Sequence, residues 1–372
     1  MNNTTLENLK VAIVGAGSIG NHLAFSARRS YANVTVFDNS EVSLQRFEQE
    51  IFPGRYGNFD KKIKLKNISK LDSEIYDVIF IGTPPDTHLE LLMQVMDYAT
   101  SLVIVEKPLT TPNIAEIQKM GTLIQRSSIP ILVGYNHRVG RNTAIATDFL
   151  RHENIGTPTM IESFVLESWK GILDAHPWLN SPTDSYLGFS DRGGGACFEH
   201  SHGLDLWRYY ANLLNVGEIN QVDARARYSD INKSCDLSIE MKVKTERGFE
   251  GLISQSVENI NPRKEVIVHG TQGIITSKVG GGNASDSVDW KSKNDDKLSI
   301  TCKIYKTRYD DFDREMLYLS RLLQKGKRNH EDMILSGMSG LKTCLIASAA
   351  LYSAERELPI SISLDSLAYE AI

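Results

Sequence analysis

The first third of the chain alternates short apolar runs with segments whose apolar residues recur every three to four positions. Such runs predict buried strands, and the segments between them predict amphipathic helices. The predicted strands are Lys10–Val14, Val34–Phe37, Ile63–Asn67, Val78–Ile81, Leu102–Val105 and Ile131–Val133, with helices at His88–Tyr98 and Ile114–Ser127 among them. This alternation predicts an α/β fold with a doubly wound parallel sheet, whose ligands lie beyond the carboxyl ends of the strands.

After about residue 134 the pattern changes to longer segments in which apolar and polar residues alternate. These predict a large, mostly antiparallel sheet. They are Thr159–Trp169, Gln221–Tyr228, Leu237–Lys244, Phe249–Val257, Glu265–His269, Gly273–Ser277 and Leu298–Tyr305. Helices are predicted at Asn142–Arg151, Gly203–Leu213 and Met338–Glu355, with a closing strand at Ile360–Ile362. We therefore expect an α/β domain over residues 1–134 and an α+β domain over residues 135–372.

The composition narrows the class of protein. Charged residues make up 23% of the 372 positions and the formal net charge is −5, without long runs of one sign, so neither a nucleic acid nor a membrane surface is indicated as a partner. The four cysteines lack the spacing of a zinc site, and no signal pattern or membrane-length apolar run is present, so a cytoplasmic protein is expected. A broad sheet with one helical face predicts a homodimer or homotetramer that covers the other face.

Three glycines follow the first predicted strand in the sequence GAGSIG. A strand, this glycine pattern and a helix form the arrangement that binds a dinucleotide pyrophosphate at a helix N-terminus. In that arrangement Gly15 permits a tight turn, Gly17 lets the backbone approach the pyrophosphate, and Gly20 lets the helix pack on the strand. Ser18 and Ile19 complete the turn and are expected to contact the cofactor. A tight turn without a ligand is the structural alternative.

Asp38 ends the second predicted strand, close to the roughly twenty positions after the glycines at which an acidic residue binds the ribose 2′-hydroxyl. A carboxylate there would repel the 2′-phosphate of NADP, so NAD is the expected cofactor. The alternative is a plain turn, since Asp-Asn-Ser is good turn chemistry.

The sequence Glu106-Lys107-Pro108 follows a buried strand on the ligand side of the predicted sheet. The three donors of Lys107 could hold a substrate oxygen, and its charge would stabilise an alkoxide that develops during hydride transfer. A solvated loop lysine is the alternative. The proline indicates a fixed backbone, with either a trans or a cis bond.

A second cluster, Glu199-His200-Ser201-His202, follows three glycines and precedes a predicted amphipathic helix. A histidine with a near-neutral pKa can take a hydroxyl proton as hydride leaves the carbon. In the structural alternative His200 packs in the core and His202 caps the helix. A metal site is not predicted, because a His-x-His pair beside one glutamate lacks further ligands.

Together these motifs resemble the glucose–fructose oxidoreductase, inositol dehydrogenase and MocA (Gfo/Idh/MocA) family. The resemblance rests on GAGSIG, Asp38, TPPDTH (83–88), EKP (106–108), the glycine-rich run before E-x-x-H-x-x-D (199–205), HGTQG (269–273) and residues 340–362. It implies an N-terminal NAD-binding Rossmann domain and catalytic roles for Lys107 and His202. Glu199 stands where the family usually has an aspartate, and would orient His202 or bind substrate hydroxyls. Further cofactor or substrate contacts are implied for Thr83, Pro84, His88, Glu106, Asn136 and Arg138.

The segment 168–195 is long, aromatic and polar. Trp169 and Tyr186 are expected to contact a sugar ring and its hydroxyls, and a loop anchored by buried aromatic residues is the alternative. The segment also resembles family members of surface-sugar and nonulosonic-acid biosynthesis, which favours an amino sugar or a nucleotide-activated sugar as substrate.

The sequence thus predicts an NAD-dependent oxidoreductase that interconverts a secondary alcohol and a ketone on a sugar, cyclitol or nucleotide-activated sugar. One alternative is imine or enone reduction on the same fold. Another is a non-catalytic NAD-binding regulator, which would have no need of both Lys107 and His202.

Overall fold

The computed structural model describes residues 7–30, 32–152, 155–174, 176–230, 234–280, 285–295, 297–324 and 333–372. The chain forms two compact units. The first comprises Met1–Leu109, Met120–Asn136 and Tyr309–Gly340, and the second comprises Thr110–Lys119, His137–Arg308 and Leu341–Ile372. This division differs from a single cut after residue 134, because residues 309–340 pack with the first unit.

The first unit is built on a six-stranded parallel sheet in the order β3-β2-β1-β4-β5-β6. Its strands are β1 (Lys10–Val14), β2 (Asn33–Asp38), β3 (Lys64–Asn67), β4 (Tyr76–Ile81), β5 (Ala99–Val105) and β6 (Ile131–Val133). Its helices are α1 (Ser18–Arg29), α2 (Glu41–Arg46), α3 (Phe52–Tyr56), α4 (His88–Val95), the second half of α5 (Ile114–Arg126), and α10 (Asp310–Gln324). The predicted parallel sheet is confirmed, and its strand order reverses between β1 and β4, where ligands of such sheets bind.

Helix α10 is absent from the sequence prediction, and aromatic contacts explain why it joins the first unit. The rings of His22 and Phe312 stack with centroids 4.8 Å apart, and Phe25 meets Tyr309 edge-on at 5.4 Å. The buried side of α10 therefore covers α1, the helix that follows the glycine turn.

The second unit contains a ten-stranded sheet in the order β14-β13-β12-β11-β7-β10-β9-β8-β15-β16. Its strands are β7 (Pro158–Ser168), β8 (Ile219–Tyr228), β9 (Asp236–Thr245), β10 (Glu250–Ser256), β11 (Glu258–Gly270), β12 (Gly273–Lys278), β13 (Asp286–Ser292), β14 (Ser299–Ile304), β15 (Ile360–Ser363) and β16 (Ala368–Ala371). Its helices are α6 (Arg141–Arg151), α7 (Trp169–Asp174), α8 (Gly195–Glu199), α9 (His202–Leu213) and most of α11 (Gly337–Arg356). Only β7 and β10 pair in parallel among these neighbours, so the mostly antiparallel prediction is confirmed.

Helix α9 lies on this sheet because its buried face meets small residues of the strands. The Trp207 ring occupies the space over Gly251, where an added Cβ would lie 2.5 Å from the indole, and its Nε1 donates to the carbonyl of Ile161 at 2.9 Å. The segment 168–195 is less irregular than expected, since Trp169 begins α7 and three single helical turns follow at 182–184, 186–188 and 190–192. In the described residues, no helix is both long enough and apolar enough to cross a membrane.

Candidate functional site

The glycine turn between β1 and α1 needs each glycine for a different reason. Gly15 has φ +110°, and an added Cβ would lie 2.7 Å from the carbonyl oxygen of Gly82. A Cβ on Gly20 would overlap the carbonyl oxygen of Gly15, whereas a Cβ on Gly17 would meet no atom within 4 Å. Gly15 and Gly20 are thus required by packing. The open side of Gly17 leaves room for a pyrophosphate to approach the backbone.

Asp38 holds the glycine turn against the end of β2. One carboxylate oxygen accepts from the Ala16 amide at 2.8 Å, and the other accepts from the Ser40 amide at 2.9 Å. A carboxylate has about four acceptor sites, so these two bonds fix its orientation and leave capacity for ribose hydroxyls. The turn and cofactor interpretations of Asp38 are therefore compatible.

Arg55 of α3 was missed by the sequence analysis. Its guanidinium donates to the Ser18 carbonyl at 2.9 Å and to the Ser18 hydroxyl at 2.8 Å. A positive charge thereby lies beside the N-terminus of α1, where a phosphate is favoured. Ile19, the other non-glycine residue of this helix start, is half-buried.

His88 connects the loops that follow β4 and β5. The ring is fully buried, with Nε2 2.8 Å from the Thr83 carbonyl and Nδ1 3.1 Å from the Pro108 carbonyl. Burial lowers the pKa of His88, and the neighbouring carbonyls only partly oppose this. Its ring nitrogens thus face the backbone, so His88 positions Thr83 and the EKP loop, and Pro84 of this stretch is exposed.

Lys107 lies half-buried directly after β5, and its bond to Pro108 is cis. The preceding Glu106 is 7% exposed and accepts from the Lys107 amide at 3.3 Å. An added Cβ on Gly134 would come within 2.8 Å of the Glu106 carboxyl group. The glycine after β6 therefore makes room for the carboxyl group beside Lys107.

A second carboxyl group, that of Glu315 on α10, lies near Glu106. Glu315 is fully buried, and neither of its oxygens has a hydrogen-bond partner among the described residues. Burial and the Glu106 charge raise the pKa of Glu315 well above its ordinary value. The fold therefore favours the protonated form of Glu315.

Replacing Glu315 by glutamine is expected to stabilise the protein at pH 8 by at least about 1 kcal/mol. The pKa of Glu315 is higher in the folded than in the unfolded chain, so its stabilising contribution is complete only below the unfolded value and declines as the pH rises above it. Urea unfolding of Glu315→Gln and of an exposed control, Glu90→Gln, at pH 5 and pH 8 measures this. An equal effect of Glu315→Gln at both pH values contradicts the expectation.

In the second unit, the glycine-rich segment before Glu199 is held by Asp236. This fully buried carboxylate accepts from the Cys197 amide at 2.6 Å and from the Ser190 hydroxyl at 2.8 Å. Gly195 has φ +76°, and an added Cβ would overlap a carboxylate oxygen of Asp236. The glycine run therefore brings the start of α8 against Asp236, which fixes the helix that ends at Glu199.

The insert and the histidine motif meet at Glu199. The Tyr186 hydroxyl donates to Oε2 of Glu199 at 3.1 Å, so these two predicted substrate contacts are brought together. His200 is only 4% exposed, which fits the structural alternative in which it packs in the core.

Glu167 of β7 was not predicted as a site residue. Its Oε2 lies 2.8 Å from the Lys264 amine and 3.8 Å from Nδ1 of His200. Burial opposes the ionisation of Glu167, but Lys264 and His200 outweigh it and lower its pKa. A paired carboxylate thus lies beside His200 of the histidine motif.

His202 is the first residue of α9, and its ring does not cap the helix, whose N-cap is Ser201. Instead it stacks on the ring of His137, with centroids 4.1 Å apart and planes 20° from parallel. Both side chains are half-buried. His137 was not singled out by the sequence, although it lies just after β6, at the ligand end of that strand.

Arg138 forms a buried bidentate ion pair with Asp205, the last residue of E-x-x-H-x-x-D. Its Nε and Nη2 lie 2.6 and 2.5 Å from the two carboxylate oxygens, and the residues are 7% and 1% exposed. The guanidinium fork is occupied by this pair. This pair uses two of the five guanidinium donors and joins the turn after β6 to α9, and the substrate contact expected of Arg138 stays a prediction.

Two further predicted residues are placed as follows. Trp169 is half-buried at the start of α7, and its backbone amide donates to the Val257 carbonyl at 2.7 Å. Asn136 is 9% exposed in the turn after β6.

Over the residues that can be described, no three His, Cys, Asp or Glu side chains are grouped so as to hold a metal ion.

Comparison of the sequence with known proteins finds one matching family. Residues 9–135 match the Gfo/Idh/MocA model, described as an oxidoreductase family with an NAD-binding Rossmann fold. A curated relative, glycerol-3-phosphate dehydrogenase [NAD(P)+] from Acinetobacter baylyi, is 29% identical over 100 residues, which are 26% of this chain. The chain spans 28% of the length of that relative.

Solved structures share the fold over nearly the whole chain. An oxidoreductase from Agrobacterium radiobacter in complex with NAD+, L-tartaric acid and magnesium has a TM-score of 0.73 at 16% identity and covers 97% of this chain and 100% of its own. A levoglucosan dehydrogenase in complex with NADH and levoglucosan has a TM-score of 0.73 at 18% identity, with coverage of 96% and 100%. An NAD-binding oxidoreductase from Klebsiella pneumoniae also gives 0.73 at 18% identity, with coverage of 96% and 99%. At these identities the likeness establishes the fold.

Proposed function

We propose that the chain is an NAD-dependent dehydrogenase, because residues 9–135 match the model of the Gfo/Idh/MocA oxidoreductase family, which has an NAD-binding Rossmann fold. It interconverts a secondary alcohol and a ketone on a sugar, cyclitol or nucleotide-activated sugar. The observation that carries this proposal is the pairing of an open glycine turn and Asp38 with Lys107, which follows a strand of the same sheet. The levoglucosan dehydrogenase with NADH and levoglucosan supports a sugar-type substrate.

The glycine turn, Ser18 and Asp38 would hold the cofactor. The open face at Gly17 accepts the pyrophosphate, and Asp38 accepts hydrogen bonds from the adenosine ribose. Thr83, Asn136 and Glu106 follow β4, β6 and β5, so they lie at the end of the sheet where ligands bind. Bound NAD would supply the acceptor for hydride.

Lys107 and His202 carry the proton and charge chemistry of the proposed reaction. The Lys107 ammonium donates to the reacting oxygen of the substrate and stabilises negative charge on it. His202 in its neutral form accepts the hydroxyl proton during oxidation and returns it during reduction. Glu199, held by Tyr186, binds substrate hydroxyls or orients His202.

The substrate assignment rests on the insert. Tyr186 and Glu199 form a hydroxyl-binding pair, and Trp169 at the start of α7 offers an aromatic face for a sugar ring. We further propose a place in surface-sugar biosynthesis and a homodimer or homotetramer, in keeping with the sequence. Reduction of an imine or enone is the competing activity. A panel of candidate substrates with and without free hydroxyl groups distinguishes it from alcohol oxidation.

The chain is expected to bind NAD at least about tenfold more tightly than NADP. The Asp38 carboxylate accepts from ribose hydroxyls and repels a 2′-phosphate, and Asp38→Ala is expected to narrow the difference. Calorimetric titration of both cofactors measures this, with Asp72→Ala, an exposed aspartate, as control. Equal or tighter binding of NADP contradicts the prediction.

The proposed activity is tested by following NADH formation with a panel of free sugars, cyclitols and nucleotide sugars. We expect turnover with at least one polyhydroxy substrate. Tight NAD binding without turnover on any of them would favour the non-catalytic regulator.

A further inference from the structure

Two imidazole rings from distant parts of the sequence meet in the second unit. His137 lies in the turn after β6, and His202 begins α9. Their centroids are 4.1 Å apart and their planes differ by 20°, so the rings lie face to face. This is the spacing of direct ring contact, with no room for water between the faces.

Such a pair cannot easily carry two protons. One imidazolium over a neutral imidazole is acceptable, because the neutral ring offers its π face to the cation. Two imidazolium rings at this distance repel, and the site is half-buried, so solvent screens the repulsion only in part. The two rings therefore titrate as a coupled pair.

Several charged groups of the neighbouring elements pair with one another. Glu167 of β7 lies against Lys264 of β11 and against His200, Arg138 pairs with Asp205, and Arg208 of α9 pairs with Glu218. Glu199, the last residue of α8, is a further carboxyl group. Tyr209 of α9 lies against Arg138, and β10 contributes the neutral Gln255. These groups are the same in the wild type and in a His137 variant. A change in the titration of His202 therefore reports the effect of the side chain at position 137.

We propose that His137 is a positioning residue that holds the His202 ring by stacking and keeps it neutral by disfavouring a second proton. The inference rests on the proposed role of His202 as proton acceptor. Neutral His202 is then ready to accept a hydroxyl proton at a lower pH than an isolated histidine would be.

The pair is tested by nuclear magnetic resonance titration of ring-labelled histidine in the full chain. His137→Phe retains a stacking ring and removes the charge, so the His202 titration is expected to become a single step about one pH unit higher. His137→Arg retains a stacking cation that cannot be neutralised, and it is expected to move the step to lower pH. His152→Gln, at a histidine side chain that is 69% exposed, is the control and leaves the step unchanged.

The same variants separate this inference from the proposed function. The pH at which kcat for oxidation falls on the acidic side is expected to follow the His202 titration. This pH rises in His137→Phe and falls in His137→Arg, while the kcat plateau above pH 9 changes little. A His202 step that is the same in wild type, His137→Phe and His137→Arg overturns the coupling, whatever the activity. A step that moves while the pH at which kcat falls stays in place confirms the coupling and contradicts the assignment of His202 as the base.

Discussion

Replacing Lys107 by methionine is expected to lower kcat by at least about 10³-fold, while NAD affinity changes little. Methionine is similar in length but has neither the charge nor the donors that would stabilise negative charge on the substrate oxygen. The adenosine half of NAD is held instead by the glycine turn and Asp38. Single-turnover hydride transfer measures the effect, so that slow product release does not conceal it.

The parallel substitution His202→Asn is expected to cost about 10²- to 10⁴-fold in the same assay. Lys61→Met, at an exposed lysine of the first unit, is the control for Lys107→Met. Full hydride transfer in Lys107→Met would remove the lysine from the mechanism. Loss of transfer in His200→Asn with retention in His202→Asn would show that the proton acceptor is His200.

The second large effect is expected from Arg138→Met, which should lower the free energy of unfolding by about 3–5 kcal/mol. The substitution leaves the Asp205 carboxylate buried without its bidentate partner. Arg208 lies nearby, but its guanidinium is paired with Glu218 at 3.0 Å and cannot replace that partner. Urea unfolding followed by tryptophan fluorescence reports on the second unit, because all four tryptophans, among them the buried Trp207, belong to it.

Two controls separate the charge from the loss of packing. The double variant Arg138→Met with Asp205→Leu removes both charges and is expected to recover most of the stability. Lys170→Met breaks the exposed pair with Asp174, whose side chains are 81% and 64% exposed, and is expected to cost less than about 1 kcal/mol. If Arg138→Met costs no more than Lys170→Met, the buried pair does not stabilise the fold as described.

The parts of the fold and site that the sequence predicts are those that local chemistry determines. Gly15, Gly17 and Gly20 lie within six residues after an apolar strand, so their steric roles can be assigned without tertiary information. The parallel sheet likewise follows from short apolar runs such as Val11–Val14, Val78–Ile81 and Leu102–Val105. Helix α10 escapes prediction because polar residues interrupt its apolar stripe: its buried residues are Asp311, Phe312, Glu315, Met316, Leu319 and Ser320.

Residues whose roles arise from contacts distant in sequence could not be assigned in this way. His137 and Arg138 are adjacent in the chain, yet one stacks on His202 and the other pairs with Asp205, more than sixty positions away. Asp236 looks like an ordinary strand residue until the fold places it at the start of α8. The positive φ of Gly195 reflects that contact, but a glycine run alone does not identify its partner.

The discontinuity of the first unit also affects how the protein is made. Its chain leaves the unit at Asn136 and returns at Tyr309, so α1 is not covered by α10 until about two hundred further residues have been translated. At roughly 5–20 residues per second, the nascent nucleotide-binding unit waits on the order of tens of seconds for the residues of α10. During that interval His22 lacks its stacking partner Phe312, and Phe25 lacks its contact with Tyr309 but keeps its stacking contact with Tyr56.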